Sequence, residues 1–138
     1  MKKIEHIGIA VRDMSAASAL YEQLLGVSCY KTEDVLSEGV HTAFFKAGDN
    51  KVELLAAITK ESPIAKFLER KGEGIHHIAF DVDDILSEMS RLKAAGFQLL
   101  NEQPKRGADD KMVCFVHPKG TNGVLIELCQ QIPTAQIG

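Results

Sequence analysis

No stretch of this sequence stays apolar for anything near the roughly 20 residues that a membrane-spanning helix needs. The opening Met1-Lys2-Lys3-Ile4-Glu5-His6 lacks the continuous apolar segment of a secretory signal. An excess of one charge is missing too. The chain has 16 Lys and Arg against 19 Asp and Glu, mixed along its length, for a net charge of −3. That balance excludes a general nucleic-acid or membrane-surface binder and leaves room for a local basic patch facing a phosphorylated ligand. Cysteine is scarce. Cys29, Cys114 and Cys129 are odd in number, lie in or beside apolar runs and form no Cys-x-x-Cys. They read as reduced cytosolic thiols that pack rather than react, and a cytoplasmic protein is expected. There is no Gly-rich phosphate loop and no Gly-x-Ser-x-Gly elbow, so neither signature points to a P-loop or serine-hydrolase site. The 138 residues fit one compact domain with a real core.

What the chain does have is one statement made twice. Glu5-His6-Ile7-Gly8-Ile9-Ala10-Val11 is echoed by His76-His77-Ile78-Ala79-Phe80-Asp81-Val82. A helix-like run closing at Gly26 is echoed by one closing at Gly96, and Val52-Glu53-Leu54-Leu55 by Ile126-Glu127-Leu128-Cys129. The spacing is 71 residues from His6 to His77, 70 from Gly26 to Gly96 and 74 from Glu53 to Glu127. A duplicated unit with one His and one Glu at matching points implies two half-sites.

Period two marks residues 4–11 and 76–82 as strands. In the first, Ile7, Ile9 and Val11 form a bulky face for a helix; His6, Gly8 and Ala10 form an open face. In the second, Ile78, Phe80 and Val82 form the core face; His77, Ala79 and Asp81 form the open one. The match also separates the adjacent histidines: His77 is the counterpart of His6, while His76 faces the helix layer or the strand's start. A helix follows each strand. Asp13 or Ser15 caps the first, Leu20, Leu24 and Leu25 give its apolar stripe, and Gly26 ends it. Asp83 or Asp84 caps the second, with Ile85, Met89 and Leu92 at i, i+4, i+7. A connecting helix spans 62–72, with Ser62 as N-cap and Pro63 in the first turn. Hairpins join 41–47 to 51–57 and 112–117 to 123–130. Short strands are expected at 27–31 and 97–101, polar loops over the open face at 33–39 and 103–111. The organisation is a single α+β domain of two tandem βαβββ modules, 1–58 and 75–131, with a loose tail at 132–138.

An acid inside an apolar strand costs several kcal/mol, by analogy with other buried ions, unless something compensates it. A divalent cation does so directly. His6, Glu53, His77 and Glu127 together form a two-His, two-carboxylate set with room for exchangeable ligands. Taken singly, each has an ordinary alternative as a hydrogen-bonded strand residue. The matched positions in two copies favour the joint metal site. His76, His41 and His117 have no mirrored partner, although His41 is placed to line the site.

At these residues the chain resembles the vicinal oxygen chelate superfamily, and within it the methylmalonyl-CoA epimerases. The superfamily pattern is carried by the duplicated unit, with His on the first strand and Glu on the last. The epimerase likeness is carried by Ser62-Pro63-Ile64-Ala65-Lys66-Phe67-Leu68, Gly72-Glu73-Gly74-Ile75-His76-His77-Ile78-Ala79-Phe80, His117-Pro118-Lys119 and Gly123-Val124-Leu125-Ile126-Glu127-Leu128. The resemblance implies a curved, cup-shaped mixed sheet around one divalent ion (Co²⁺, Mn²⁺, Zn²⁺ or Ni²⁺) held by His6, Glu53, His77 and Glu127. It also implies an acyl-CoA substrate and a homodimer. In some of these epimerases Gln stands where Glu53 does.

The implied reaction is proton abstraction at the carbon between a thioester and a carboxylate, with a proton returned to the other face. Two bases are needed. Glu127 matches one of them. Where some relatives carry the second as Glu, this chain has Thr42, a poor base unless activated; Glu53, Glu38 and His41 are the alternatives. Lys105, Arg106 and Lys119 are candidates to meet the phosphates of CoA. The rival readings are a glyoxalase I-like lyase acting on a glutathione hemithioacetal, an extradiol dioxygenase and a metal-free drug-binding module. Four retained ligands speak against the last two.

Overall fold

The computed structural model describes residues 1–133. In chain order it contains β1 (Ile4–Ala10), α1 (Met14–Leu25), β2 (Lys31–Val35), β3 (Val40–Ala47), β4 (Asn50–Ala57), α2 (Pro63–Lys71), β5 (Gly74–Asp81), α3 (Ile85–Ala94), β6 (Lys105–Arg106), β7 (Lys111–Val116) and β8 (Ile126–Gln131). These are the two expected βαβββ modules, with α2 as the connecting helix. The chain divides into two compact units, His6–His76 and a second made of Met1–Glu5 with the chain from His77 onward. The first five residues therefore pack with the second module rather than the first. Lys2 N–H donates to the Asp81 carbonyl, and Asp81 N–H donates to that of Lys3.

In the unit His6–His76 the strand order is β2-β3-β4-β1. β1 runs parallel to β4, and β3 is antiparallel to both β2 and β4. One face of this sheet packs on α1: Val11, Ala43, Phe45, Leu54 and Ala56 meet Met14, Ala17, Tyr21 and Leu25. Asp13 caps α1 by accepting from Ala16 N–H, and Gly26 closes it with φ 70°, a left-handed conformation that glycine adopts without steric cost. The expected stripe needs correction. Leu20 is 56% and Leu24 68% exposed; they sit on a neighbouring row of the helix, off the Met14–Ala17–Tyr21–Leu25 line, and only Leu25 of the three packs inward.

The other face is not open throughout. Ala10, Val40 and Leu55 cluster with Ile64, Phe67 and Leu68 of α2, so the connecting helix closes that end. Ser62 caps α2 by accepting from Ala65 N–H, and His76 meets Phe67 edge-on at 5.0 Å, on the helix layer as expected.

In the unit built from Met1–Glu5 and His77 onward the order is β5-β8-β7-β6, with β5 parallel to β8 and β7 antiparallel to its neighbours. Ile85, Met89 and Leu92 of α3 bury against Val82, Cys114, Val116 and Leu128. Asp84 is the cap.

Three strand boundaries differ from expectation. β2 begins at Lys31 rather than 27 and takes up the start of the expected loop, because Lys31-Thr32-Glu33-Asp34 is a polar edge strand paired on one side only. A 3₁₀ turn at Leu36–Glu38 follows. It packs tightly: a Cβ on Gly39 would lie 2.9 Å from Ser62 Cβ. Residues 97–101 form only an isolated bridge, Leu99 to Val116, and the extra strand is β6, inside the segment read as a loop. β8 starts at Ile126, since a 3₁₀ turn at Pro118–Gly120 and a Thr121 hydroxyl bonded to the Val124 carbonyl occupy the residues before it. Ile132 is buried and its N–H donates to the Asp110 carbonyl, so the expected loose tail does not begin there; residues 134–138 lie outside the described residues.

Candidate metal centre

Parallel pairing sets Gly8 of β1 opposite Glu53 of β4, with His6 one same-face step earlier. Gly8 has no side chain to fill the space between them. His6 Nε2 lies 3.3 Å from Glu53 Oε1, with both side chains buried. In the other unit Ala79 of β5 stands opposite Glu127 of β8, again with the histidine one same-face step earlier. His77 Nε2 lies 3.5 Å from Glu127 Oε1, and both are buried. The third strand repeats as well: Phe44 is opposite Glu53, and Phe115 is opposite Glu127. His77 meets Phe115 edge-on at 6.1 Å. Each unit thus carries the same four-part arrangement of His, a small residue, Glu and Phe.

Each pair offers one imidazole nitrogen and one carboxylate oxygen, shielded from water by apolar strand neighbours. Unpaired burial of these carboxylates would cost several kcal/mol. Mixed N/O donors of this kind suit Zn²⁺, Co²⁺, Mn²⁺ or Ni²⁺. Beyond Glu127 on the same face lies the Cys129 thiol, whose pKa is pushed up by burial and further by the charges of Glu127 and Glu5. Next is Lys111, opposite Gln131. It donates to Gln131 Oε1 at 2.6 Å and lies 3.9 Å from Glu5 Oε2. This buried Lys–Glu pair escaped the sequence reading. Its only signal was a lysine opening the apolar run Met112-Val113-Cys114-Phe115.

The remaining candidates separate. Thr42 is buried and its hydroxyl donates to the Glu33 carbonyl at 2.7 Å. His41 stands opposite Ala56, which belongs to the α1-packed cluster. It is therefore on the face away from Glu53, hydrogen-bonded through Nδ1 to Asp34, and neither lines the site nor serves as its base. The strand's period of two decides this, because one residue's shift reverses the face. Glu38 sits half-buried in the 3₁₀ turn before β3. Arg106 is bonded to Asp110 at 3.2 Å. Lys105 is its neighbour in β6, and Lys119 lies in the 3₁₀ turn whose first N–H bond is accepted by His117 Nδ1.

A family model described as the glyoxalase/bleomycin resistance protein/dioxygenase superfamily matches residues 5–115. The chain belongs to this superfamily. Among its members it is 44% identical over 130 residues to an ethylmalonyl-CoA/methylmalonyl-CoA epimerase of Cereibacter sphaeroides, covering 93% of this chain and 97% of that one. The crystal structure of methylmalonyl-CoA epimerase from Mycobacterium tuberculosis superposes with a TM-score of 0.95 at 33% identity, covering 99% of this chain and 92% of that one. A methylmalonyl-CoA epimerase structure in complex with methylmalonyl-CoA and NH4+ matches with a TM-score of 0.91 at 33% identity, covering 95% of each chain.

Proposed function

We propose that this protein is a metal-dependent epimerase that interconverts (2R)- and (2S)-methylmalonyl-CoA. The observation that carries the reading is the buried His–Glu pair repeated once in each module, His6 with Glu53 and His77 with Glu127. Epimerase relatives along nearly the whole chain support the substrate class. The glyoxalase I-like lyase, which would use similar enediolate chemistry, has less support.

His6, Glu53, His77 and Glu127 would hold one divalent ion, whose chemistry is to polarise the thioester carbonyl and stabilise negative charge developing on its oxygen. The carboxylates do the proton work. Glu127 takes the α-proton on one face of the substrate carbon, and Glu53 delivers a proton to the other; the reverse direction exchanges their roles. Thr42 is set aside by its bond to Glu33 and His41 by its face, which leaves Glu53 as the carboxylate in the equivalent position of the first module. Phe44 and Phe115 flank the two acids and keep water from them, which strengthens their electrostatic effect. We further read the protein as a cytoplasmic homodimer. Its cysteines are free, and pairing through α1 would cover the exposed Leu20 and Leu24. Among the described residues no helix is long and apolar enough to cross a membrane.

The test is proton NMR of methylmalonyl-CoA in D₂O with Co²⁺-loaded protein. Loss of the α-proton signal, abolished by a chelator, is the expected result. Stoichiometric metal with no exchange would overturn the substrate and make the glutathione hemithioacetal the next compound to try.

A further inference from the structure

On the sheet face that carries Glu53, Lys46 of β3 stands directly opposite Lys51 of β4. They occupy the next same-face position after Phe44 and Glu53, and His6 flanks Lys51 on β1. Two like charges set opposite one another across strands are destabilising. Lys46 is exposed and Lys51 half-buried.

A third residue fixes the arrangement. The Lys46 ammonium lies 5.3 Å from the centre of the Tyr30 ring, a cation–π distance. The Tyr30 ring is itself 6.1 Å from that of Phe44, and Tyr30 N–H donates to the Phe44 carbonyl. The exposed cation is thus held over the site face by an aromatic ring that packs beside the wall of the half-site.

The duplication serves as an internal control. His6, Phe44 and Glu53 recur as His77, Phe115 and Glu127, but the positions of Tyr30, Lys46 and Lys51 fall at Leu100, whose N–H donates to the Phe115 carbonyl as that of Tyr30 does to Phe44, and at His117 and Leu125. The fold is built in the second module without either lysine, so the pair is not a requirement of the βαβββ unit. It sits only on the first module, one same-face step from the chemistry.

We propose that Lys46 and Lys51, with Tyr30 orienting Lys46, form an anion subsite for a phosphoryl group at the nucleotide end of the thioester substrate. The subsite rests on the acyl-CoA reading above. It differs from the expected contact at Arg106, whose guanidinium pairs with Asp110. Paired ammonium groups recognise phosphate as point charges, so their contribution falls as salt rises.

The experiment compares wild type with Lys46→Ala, Lys51→Ala and the double variant on methylmalonyl-CoA and on methylmalonyl-pantetheine, which lacks the phosphates. Binding of free CoA to the metal-free protein is measured alongside. The expected result is a KM for the CoA thioester raised about tenfold or more in the double variant with kcat retained. The KM for the pantetheine thioester should be unchanged, and CoA binding should be weakened and less salt-dependent. Equal effects on both thioesters, or none on either, would overturn the subsite. Wild type that binds CoA through these lysines without exchanging the α-proton would sink the epimerase reading and leave the subsite standing. Wild type that neither binds CoA nor exchanges the α-proton would overturn both.

Discussion

The Thr42 hydroxyl is buried and donates to the carbonyl oxygen of Glu33, 2.7 Å away. A hydroxyl spent on backbone in this way holds the polar edge strand β2 to β3. It is not available as a proton acceptor for substrate. Thr42→Val should therefore cost about 1 kcal/mol of stability, the usual net worth of one hydrogen bond, read as a lowered denaturation midpoint. Its kcat/KM should stay within about threefold of wild type, whereas loss of a true base costs about 10²–10⁴. A drop of that larger size with normal stability would return Thr42 to the mechanism.

The neighbouring histidines 76 and 77 give a sharper contrast. His77 pairs with Glu127 inside its unit, while His76 rests edge-on against Phe67 of α2. His77→Ala should lose bound metal, measured by elemental analysis after dialysis, and at least about 100-fold in activity, since Lewis-acid stabilisation is worth several kcal/mol. His76→Ala should keep metal and most activity, and loses the ring contact with Phe67, worth about 0.5–1.5 kcal/mol. The reverse pattern would mean that the face assignment of β5 is inverted.

Much of this was legible because the chain repeats itself. A single His in an alternating strand is ambiguous, but the match of His6 to His77 and Glu53 to Glu127 chose the faces, and the pairing register then set each His beside its Glu. Caps at Asp13, Ser62 and Asp84 were readable because a side-chain oxygen before an apolar run has a defined partner in the first turn. The short strands were not readable. β2 has no apolar alternation, and β6 is two residues long; both exist through pairing with β3 and β7, which is a tertiary fact. Leu20 and Leu24 misled because apolar residues one position off the packing row look the same in composition. The Glu5–Lys111 pair joins residues distant in sequence with no motif to connect them.

Thiol reactivity should follow burial. Burial raises the pKa of both Cys114 and Cys129, which suppresses the reactive thiolate. A disulfide-exchange reagent at pH 8 should modify the half-buried Cys29 first, and Cys114 and Cys129 only on unfolding. The same shift sets a sign for stability. A thiol that keeps its proton more tightly when folded contributes fully below the ordinary value of 9.0, and that contribution is lost as pH rises above it, by up to about 1.4 kcal/mol per pH unit for each thiol. Cys129→Ala should therefore flatten the alkaline fall in stability relative to wild type. Parallel curves would show that the buried thiol does not drive it.

The two carboxylates differ in a way that exchange at each epimer separates. Gln keeps an oxygen donor, so Glu53→Gln and Glu127→Gln should both retain metal, yet neither amide accepts a proton from carbon. If Glu127 serves one face and Glu53 the other, each variant loses α-proton washout from one epimer by about 100-fold or more and retains it for the other. Interconversion, which needs both faces, fails in both variants. The measurement is deuterium incorporation into each pure epimer of methylmalonyl-CoA, followed by mass spectrometry beside the rate of epimer crossover. Should Glu127→Gln stop washout from both epimers while Glu53→Gln behaves as wild type, one carboxylate would be doing all the proton transfer. Glu53 would then be a ligand alone, and Glu38, half-buried in the turn ahead of β3, would be the next residue to change.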